Sequence, residues 1–392
     1  MSSNRNDSAS LTGAGLEALR AGDAGKARAL LERATSLPRA GAEAWFALSL
    51  AHRRLGSLDA EGPALDRTLE LDPRHLPALI RKGDLYTARA DARAASSFYR
   101  AAVKIAGTLP ALGEEWRAEI ERIRQLSESN SRSFERHLLS ELEGLGLHEP
   151  DATRFARSLE IMLGRRQVYL QQPQVFYFPE LPQVEFYERQ RFPWSVALER
   201  HTSAIREELG AILASGERFA PYMQPGPDRP AFNTNGLLND PAWSACHLIH
   251  NGEEVAGNAA LCPRTLRALG ELPLCRIKGR TPTVLFSLLR PGAHIPAHHG
   301  FLNTRLICHL PLIVPPGCAF RVGNETRPWH EGELVIFDDT MEHEAWNKSS
   351  ELRVVLLFDI WRPELTEAER TLVAGLLESV DRFGGTRREW TQ

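Results

Sequence analysis

A 34-residue periodicity in the first third of the chain is the feature that most restricts its fold. Gly22, Gly56 and Ala90 are spaced by 34 residues, and each lies at a break between two helical stretches. A second set of small residues recurs with the same period: Gly15, Ser49 and Gly83. One repeat of this length cannot bury its apolar face alone, whereas stacked copies bury it jointly. The sequence therefore predicts an α-helical repeat array.

A helix–turn–helix unit of this length is typical of tetratricopeptide repeats. We expect three units over 8–110, with small residues where paired helices cross and large residues such as Tyr99 filling the gaps. The middle unit is imperfect, because Glu61 stands where a small residue is usual and Pro63 lies nearby. A helix at 111–126 would cap the stack. A generic helical bundle without a peptide groove is the alternative interpretation.

Length and composition predict two domains in a cytosolic protein. The chain has 392 residues, a net charge of −3 and 43% hydrophobic residues, so no electrostatic feature favours nucleic acid or an anionic membrane. No apolar run approaches the roughly 20 residues that cross a bilayer, and the polar start lacks the apolar core of a signal peptide. The cysteines are odd in number and form no C-x-x-C pair, which argues against disulfides and structural zinc: Cys246, Cys262, Cys275, Cys308 and Cys318.

The rest of the chain changes from helical to strand periodicity. SESNSRS at 127–133 is polar and predicts a hinge, after which helical periodicity resumes over 134–163. Amphipathic helices are predicted at 195–217 and 263–272, and a closing helix at 366–384. Short strands separated by Gly/Pro turns are predicted after Gly279, at 283–289, 305–314, 318–322, 333–339, 343–347 and 353–361. Their spacing is typical of a jelly roll, with PGAH and GNET among the turns.

Two histidines at the ends of this strand-rich block suggest a metal site. His298 and His343, with Arg353 ten residues beyond the second, fit a ferrous iron site and an anchor for a dicarboxylic co-substrate, and hence an oxygenase. The usual third ligand is a carboxylate two residues after the first histidine, where this chain has Gly300. Four acids remain as substitutes for it, although solvated acids or turn hydrogen bonds explain them equally well: Asp338, Asp339, Glu342 and Glu344.

Residues 150–370 resemble the aspartyl/asparaginyl β-hydroxylase family of Fe(II)/2-oxoglutarate-dependent oxygenases. The segments that carry the resemblance are FSLLRPGAHIPAHHG, NTRLICHLPLIVPPGC, RVGNETRPWHEGE, FDDTMEHEAWN and RVVLLFDIWRPELTEAER. The resemblance implies a double-stranded β-helix, a cupin-like jelly roll, with two histidine ligands and a glycine at the usual carboxylate position. His298, Gly300 and His343 match that pattern, and water would fill the vacant position. Animal members also carry tetratricopeptide repeats before this domain.

The resemblance assigns further positions around the metal. Ser287 and Arg353 would hold the distal carboxylate of 2-oxoglutarate, His309 would lie near its proximal carboxylate, and Arg305 would contact an acidic substrate. A guanidinium paired with a hydroxyl suits a carboxylate well. One position departs from the animal enzymes, because Ile307 replaces an arginine that is a second co-substrate anchor. Two neighbouring histidines are interpreted as non-ligands and three tryptophans as packing residues: His294, His299, Trp329, Trp346 and Trp361.

The predicted organisation is a tetratricopeptide array with its capping helix at 8–126, a helical linker at 127–165 and an oxygenase domain at 166–385. The predicted function is a dioxygenase that uses Fe(II) and 2-oxoglutarate and hydroxylates an unactivated C–H bond, with succinate and CO₂ as co-products. An Asp or Asn β-carbon in a protein or peptide is the favoured target, with the array as a candidate binding site for it. The alternatives are hydroxylation of lipid acyl chains, an interaction protein with a silent oxygenase-like domain, and a cupin-like metal module with other chemistry.

Overall fold

The computed structural model describes residues 7–111, 113–149, 152–216, 218–225 and 236–383. The chain divides into two compact units, Met1–Leu159 and Glu160–Gln392. Their boundary lies inside the predicted linker 127–165, and the predicted domain end at residue 385 lies outside the described residues.

The first unit is built from helices whose starting points repeat every 34 residues. Ser8, Ala42 and Leu76 begin the first helix of three successive pairs, which confirms the predicted repeat array. The helices within this unit are α1 (Ser8–Arg20), α2 (Ala24–Ser36), α3 (Ala42–Arg54), α4 (Leu58–Leu71), α5 (Leu76–Ala88), α6 (Ala92–Ala106) and α7 (Glu114–Glu143). The next helix, α8 (Thr153–Met162), crosses the boundary to the second unit.

The small residues of the repeat have two separate structural reasons. Gly22, Gly56 and Ala90 adopt left-handed backbone conformations with φ of 81°, 73° and 58°, which turn the chain between the helices of each pair. Gly83 lies against the ring of Tyr99, where a Cβ atom would come within 3.0 Å of Cζ. The 34-residue period therefore reflects the positions where the chain turns and where paired helices are in contact. In the middle pair, buried Glu61 lies 3.4 Å from Arg53.

The predicted hinge at 127–133 is wrong, because α7 runs without interruption from Glu114 to Glu143. The serines there are compatible with a helix because their polar groups are satisfied locally. The Ser131 hydroxyl donates to the carbonyl of Ser127, four residues earlier, at 2.9 Å. Asn130 donates to Ser96 of α6, which fastens this part of α7 to its neighbour.

The second unit contains twelve strands, five complete α-helices and a 3-10 helix at Arg189–Arg191 among its described residues. In chain order these elements are β1 (Phe186–Tyr187), α9 (Ser195–Glu199), α10 (Thr202–Ala214), β2 (Ala220–Pro221), β3 (Trp243–His250), β4 (Glu253–Glu254), α11 (Ala256–Ala259), α12 (Pro263–Gly270), β5 (Val284–Leu289), β6 (His294–His298), β7 (Arg305–Ile313), β8 (Cys318–Val322), β9 (Glu325–Pro328), β10 (Val335–Phe337), β11 (His343–Asn347), β12 (Arg353–Trp361) and α13 (Glu367–Phe383).

These strands form two antiparallel sheets with jelly-roll topology. The large sheet has the order β1-β10-β7-β12-β5-β3-β2, with β4 paired to β3, and the small sheet has the order β6-β11-β8-β9. From β5 to β12 the chain passes repeatedly between the two sheets, which is the double-stranded arrangement predicted from the sequence. One face of the large sheet packs on α9, α10 and α12. The other face packs on the small sheet.

Several predicted boundaries need correction. PGAH and GNET are not simple turns, because β6 begins at His294 and β9 begins at Glu325. The predicted helix 195–217 is two helices, α9 and α10, and residues 217 and 384 lie outside the described part of the chain. No helix in the described ranges combines the length and apolarity that a membrane span needs.

Candidate active site

The six predicted site residues surround one cavity between the two sheets. Its volume is about 360 Å³, and its wall includes Ser287, His298, Arg305, His309, His343 and Arg353. They come from five strands, β5, β6, β7, β11 and β12, so only the folded jelly roll brings them together.

The two-residue period of the strands decides which side chains reach the cavity. In β7, Arg305, Ile307 and His309 line the cavity, whereas Leu306 and Cys308 face the helices. The same alternation puts the remaining site residues of the large sheet on the cavity side.

The two histidines lie opposite each other on neighbouring strands. His343 of β11 is paired in register with His298 of β6, and their ring centroids are 4.0 Å apart. Nδ1 of His298 lies 2.8 Å from the carbonyl oxygen of Pro296, and Nδ1 of His343 lies 3.0 Å from that of Met341. A carbonyl accepts only from N–H, so each ring carries its proton on Nδ1. Both Nε2 atoms are then free to act as ligands.

Burial keeps both imidazoles neutral. Loss of solvent lowers the pKa of His298, and burial with the neighbouring ring lowers the pKa of His343 well below its usual value. Neutral imidazoles with a fixed tautomer are the form that binds a divalent metal. No third His, Cys, Asp or Glu completes a cluster with them among the residues that the structure describes. The pair thus fits a metal that keeps open positions for other ligands.

Gly300 is a glycine because another side chain fills the space beside it. A Cβ atom on Gly300 would lie 2.7 Å from Oδ1 of Asp339 and nearer still to Oδ2 and Cγ. The Gly300 N–H also donates to the Asp339 carbonyl at 2.6 Å. A carboxylate side chain at position 300 therefore has no room. Asp339 brings its own carboxyl group to this part of the cavity wall.

The other three candidate acids are engaged elsewhere. Asp338 is fully buried and binds Arg362 at 2.7 Å. Glu342 and Glu344 both bind Arg321. Of the four acids, Asp339 is the one that lines the cavity. Burial raises its pKa to about 7, although Arg305 opposes this shift.

The inner end of the cavity holds an unneutralised cation. Arg353 is 1% exposed, and no carboxylate within ion-pair distance of it occurs in the described ranges. Its Nη1 donates to the Ser287 carbonyl at 3.3 Å and to the Ser287 hydroxyl at 3.4 Å, and its guanidinium lies 4.6 Å from the Trp329 ring. Burial lowers its pKa to about 10. Such a group gains strongly from a ligand carboxylate.

His309 and Ile307 form the wall beside this cation. His309 Nδ1 is buried without a hydrogen-bond partner among the described residues, and burial and Arg353 lower the pKa of His309 to about 3. Ile307 is paired in register with Phe337 and belongs to the apolar cluster between the sheets. Position 307 thus contributes no polar group, and the polar side chains around Arg353 in the described cavity wall include Ser287 and His309.

Arg305 is already occupied by two carboxylates. Its Nη1 binds Asp359 at 2.8 Å and its Nη2 binds Asp339 at 3.3 Å. Asp359 is fully buried and accepts from the Thr283 N–H. The charge of Arg305 is thus already compensated by carboxylates of the protein, whereas its Nε is buried without a hydrogen-bond partner among the described residues. The contact of Arg305 with substrate stays a prediction.

Some cavity residues were not found from the sequence. Trp243 of β3 donates from its indole N–H to the Ser287 hydroxyl at 3.3 Å and stacks on Tyr222 at 4.1 Å. Only Trp243 and Ile249 in the run WSACHLIH at 243–250 are typical strand formers, so the local signal for β3 is weak. The predicted non-ligands lie outside the cavity wall, where His294 contacts Glu344 and His299 accepts from Gln174 through its carbonyl.

Residues 199–363 match the family model of aspartyl/asparaginyl β-hydroxylases. The matched residues lie within the second unit. The ornithine lipid ester-linked acyl 2-hydroxylase of Rhizobium tropici is 37% identical over 180 residues, which cover 45% of this chain and 60% of that protein. The aspartyl/asparaginyl β-hydroxylase of Mus musculus is 39% identical over 179 residues, 44% of this chain and 22% of that protein. The similarity thus spans less than two thirds of either relative.

The first unit is similar to helical repeat proteins of known structure. The type III secretion translocator chaperone SycD of Yersinia enterocolitica aligns with 32% of this chain and 83% of its own, at 13% identity and a TM-score of 0.29. The assignment of this unit as a tetratricopeptide-like array rests on its own 34-residue helix pairs.

Proposed function

We propose that the second unit is an Fe(II)/2-oxoglutarate-dependent oxygenase that hydroxylates an unactivated C–H bond. The observation that carries the proposal is the buried guanidinium of Arg353, which faces the same cavity as His298 and His343 and has no acidic partner among the described residues. A buried cation without a counter-ion is strongly unfavourable. A co-substrate carboxylate would neutralise it.

The chain's own residues would bind and orient the reactants. His298 and His343 would hold iron through Nε2, with their Nδ1 protons fixed on backbone carbonyls. Arg353 and the Ser287 hydroxyl would bind the distal carboxylate of 2-oxoglutarate, and His309 would donate to the proximal one. When bound, iron would let O₂ act as the oxidant, with two electrons from the oxidative decarboxylation of 2-oxoglutarate and two from the substrate C–H bond. The aromatic walls formed by Phe320 and Phe337 would keep water out.

The favoured substrate is an Asp or Asn side chain in a peptide or protein, supported by the aspartyl/asparaginyl β-hydroxylase model that residues 199–363 match. The alternative is the acyl chain of a lipid, favoured by the relative from Rhizobium tropici. An acidic side chain would bind Arg305 beside Asp339 and Asp359, which already contact its two Nη atoms.

We further propose that the repeat array recruits a polypeptide through a basic groove between α6 and α7. The groove has a volume of about 470 Å³, and its walls include Arg100, Lys104, Arg124 and Arg132 with one acid, Glu128. Arg124 is also paired with Glu121 at 3.4 Å, so the remaining excess lies on the other three cations. This local excess of positive charge contrasts with the net charge of −3 of the whole chain. The groove therefore suits an acidic segment of a substrate protein. We propose that the protein carries out this role in the cytoplasm.

Anaerobic reconstitution with Fe(II), followed by O₂ and labelled 2-oxoglutarate, tests the activity. We expect labelled succinate from the wild-type protein and none from His343→Ala. No iron-dependent succinate from the intact chain would favour the silent-domain alternative. Product analysis with Asp- or Asn-containing peptides and with ornithine lipid vesicles then separates the two substrate classes.

A further inference from the structure

A short extended segment at 171–178, here called the strap, runs beside the histidine pair. It precedes the region matched by the family model, 199–363. The strap contains no β-strand of either sheet, yet it is hydrogen-bonded to two loops. One loop, 299–303, directly follows His298, and the other, 338–342, directly precedes His343.

The strap binds the first loop through both backbone and side chain. The Gln174 N–H donates to the carbonyl of Gly300 at 3.0 Å, and Nε2 of Gln174 donates to the carbonyl of His299 at 2.8 Å. Further along, Phe178 N–H donates to Oδ1 of Asn303 at 2.7 Å. These bonds hold the backbone on the C-terminal side of His298.

The strap binds the second loop from its other edge. The Gln172 N–H donates to the carbonyl of Thr340 at 2.8 Å. Nε2 of Gln171 donates to Oδ2 of Asp338 at 2.6 Å, while Oε1 of Gln171 accepts from Nδ2 of Asn303 at 2.9 Å. The Gln171 amide thus joins the two loops directly. It is buried, and both Asp338 and Asn303 are fully buried, so each of these bonds would be costly to lose.

We propose that Gln171 and Gln174 are positioning residues for the histidine pair. The strap sets the separation between the loop that contains Gly300 and the loop that contains Asp339, and hence the mutual placement of His298 and His343. This role rests on the proposed function, because a metal between the two imidazoles gives the placement its use. Polar groups that fix the elements behind metal ligands commonly change metal affinity 10- to 100-fold when they are removed.

The test compares Gln171→Leu and Gln174→Leu with a matched control, Asn324→Ala. Asn324 also fastens the chain close to the strap, since its amide exchanges two hydrogen bonds with the backbone of Gln167 at 2.8 and 2.9 Å. That contact touches neither loop. Because Gln174 is exposed, Gln174→Leu should fold, so it can be measured even if Gln171→Leu does not fold.

Two readouts are taken on the full-length protein. Hydrogen exchange without metal should accelerate in 298–303 and 338–345 in both glutamine variants and stay at the wild-type rate there in Asn324→Ala. Anaerobic calorimetric titration with Fe(II) should give an affinity about 10-fold lower in the glutamine variants and unchanged in the control.

Glutamine variants that match Asn324→Ala in loop exchange would overturn the proposal, as would unchanged Fe(II) affinity in protein that binds Fe(II). A wild-type chain that binds no Fe(II) would instead overturn the proposed function. If the wild-type chain binds no Fe(II) but loop exchange is accelerated in the glutamine variants, the strap still holds the two histidine-bearing loops in place. Unchanged loop exchange in those variants would reject this structural role as well.

Discussion

Replacing Gly300 with alanine tests whether the space beside His298 is already filled. A Cβ atom there would come within 2.7 Å of Oδ1 of Asp339, although Cβ atoms essentially never approach other atoms within 3.0 Å. Asp339 has little room to withdraw, because Oδ2 binds Arg305 and its carbonyl accepts from the Gly300 N–H. We expect Gly300→Ala to destabilise the second unit by about 1–3 kcal/mol, the usual range for overpacking.

Native-state hydrogen exchange measures this loss in the second unit alone. The amides of β7 and β12 report on the jelly roll, and α1 to α6 of the same sample serve as an internal reference that should not change. Gly210→Ala is the matched control, because a Cβ atom there meets nothing within 4 Å. Alanine in the middle of α10 should stabilise the unit by up to about 1 kcal/mol.

A double variant shows whether Asp339 is the obstruction. In an Asp339→Ala background the alanine at position 300 gains room, so the additional loss should largely disappear. Wild-type exchange in Gly300→Ala would refute the packing argument. A loss of the same size in both backgrounds would show that something other than Asp339 excludes the side chain.

Three further predictions concern the cation, the buried histidine and the groove. Arg353→Met removes a buried charge, so the ligand-free variant should be at least as stable as wild type in denaturant titrations. Calorimetry should show about 100-fold weaker 2-oxoglutarate binding to this variant. Unchanged binding would contradict the role of Arg353 as the carboxylate anchor. His309 has a pKa of about 3 when folded against 6.5 for a free histidine, so its contribution to stability is complete above pH 6.5 and is lost as pH falls towards 3. His309→Phe should therefore make the decline in unfolding free energy between pH 6.5 and 4 shallower, by up to about 1.4 kcal/mol per pH unit, and an equally steep decline would count against a neutral buried ring. Arg100→Glu with Lys104→Glu should abolish binding of a fluorescent glutamate-rich peptide in anisotropy titrations, and retained binding would place the peptide elsewhere.

The sequence predicted the repeat array well because its cause is local. The turns at Gly22, Gly56 and Ala90 recur at a fixed spacing, and two of them carry glycine, which adopts left-handed backbone without a steric penalty. The continuity of α7 was missed because the polar run at 127–133 is stabilised by contacts to α6, which no local pattern reveals.

A long motif predicted which residues form the site, but not which of these residues bind each other. The family resemblance assigned Arg305 and His309 to the site, and in the structure both side chains line one cavity. The pairing of Arg305 with Asp339 and Asp359 joins residues 34 and 54 positions apart, so it depends on the register of the strands. Gly300 shows the same limit, since its reason is the side chain of Asp339.

The most direct test of the central claim is a spectroscopic titration of one cavity with both of its proposed ligands. Anaerobic Fe(II) is added to the full-length protein with 2-oxoglutarate, and the iron-to-co-substrate charge-transfer absorption is followed. The account predicts a band that saturates at one Fe(II) per chain, disappears in His298→Ala and His343→Ala, and needs far more 2-oxoglutarate in Arg353→Met. Absence of the band in the wild-type protein, or its persistence in both histidine variants, would contradict the account.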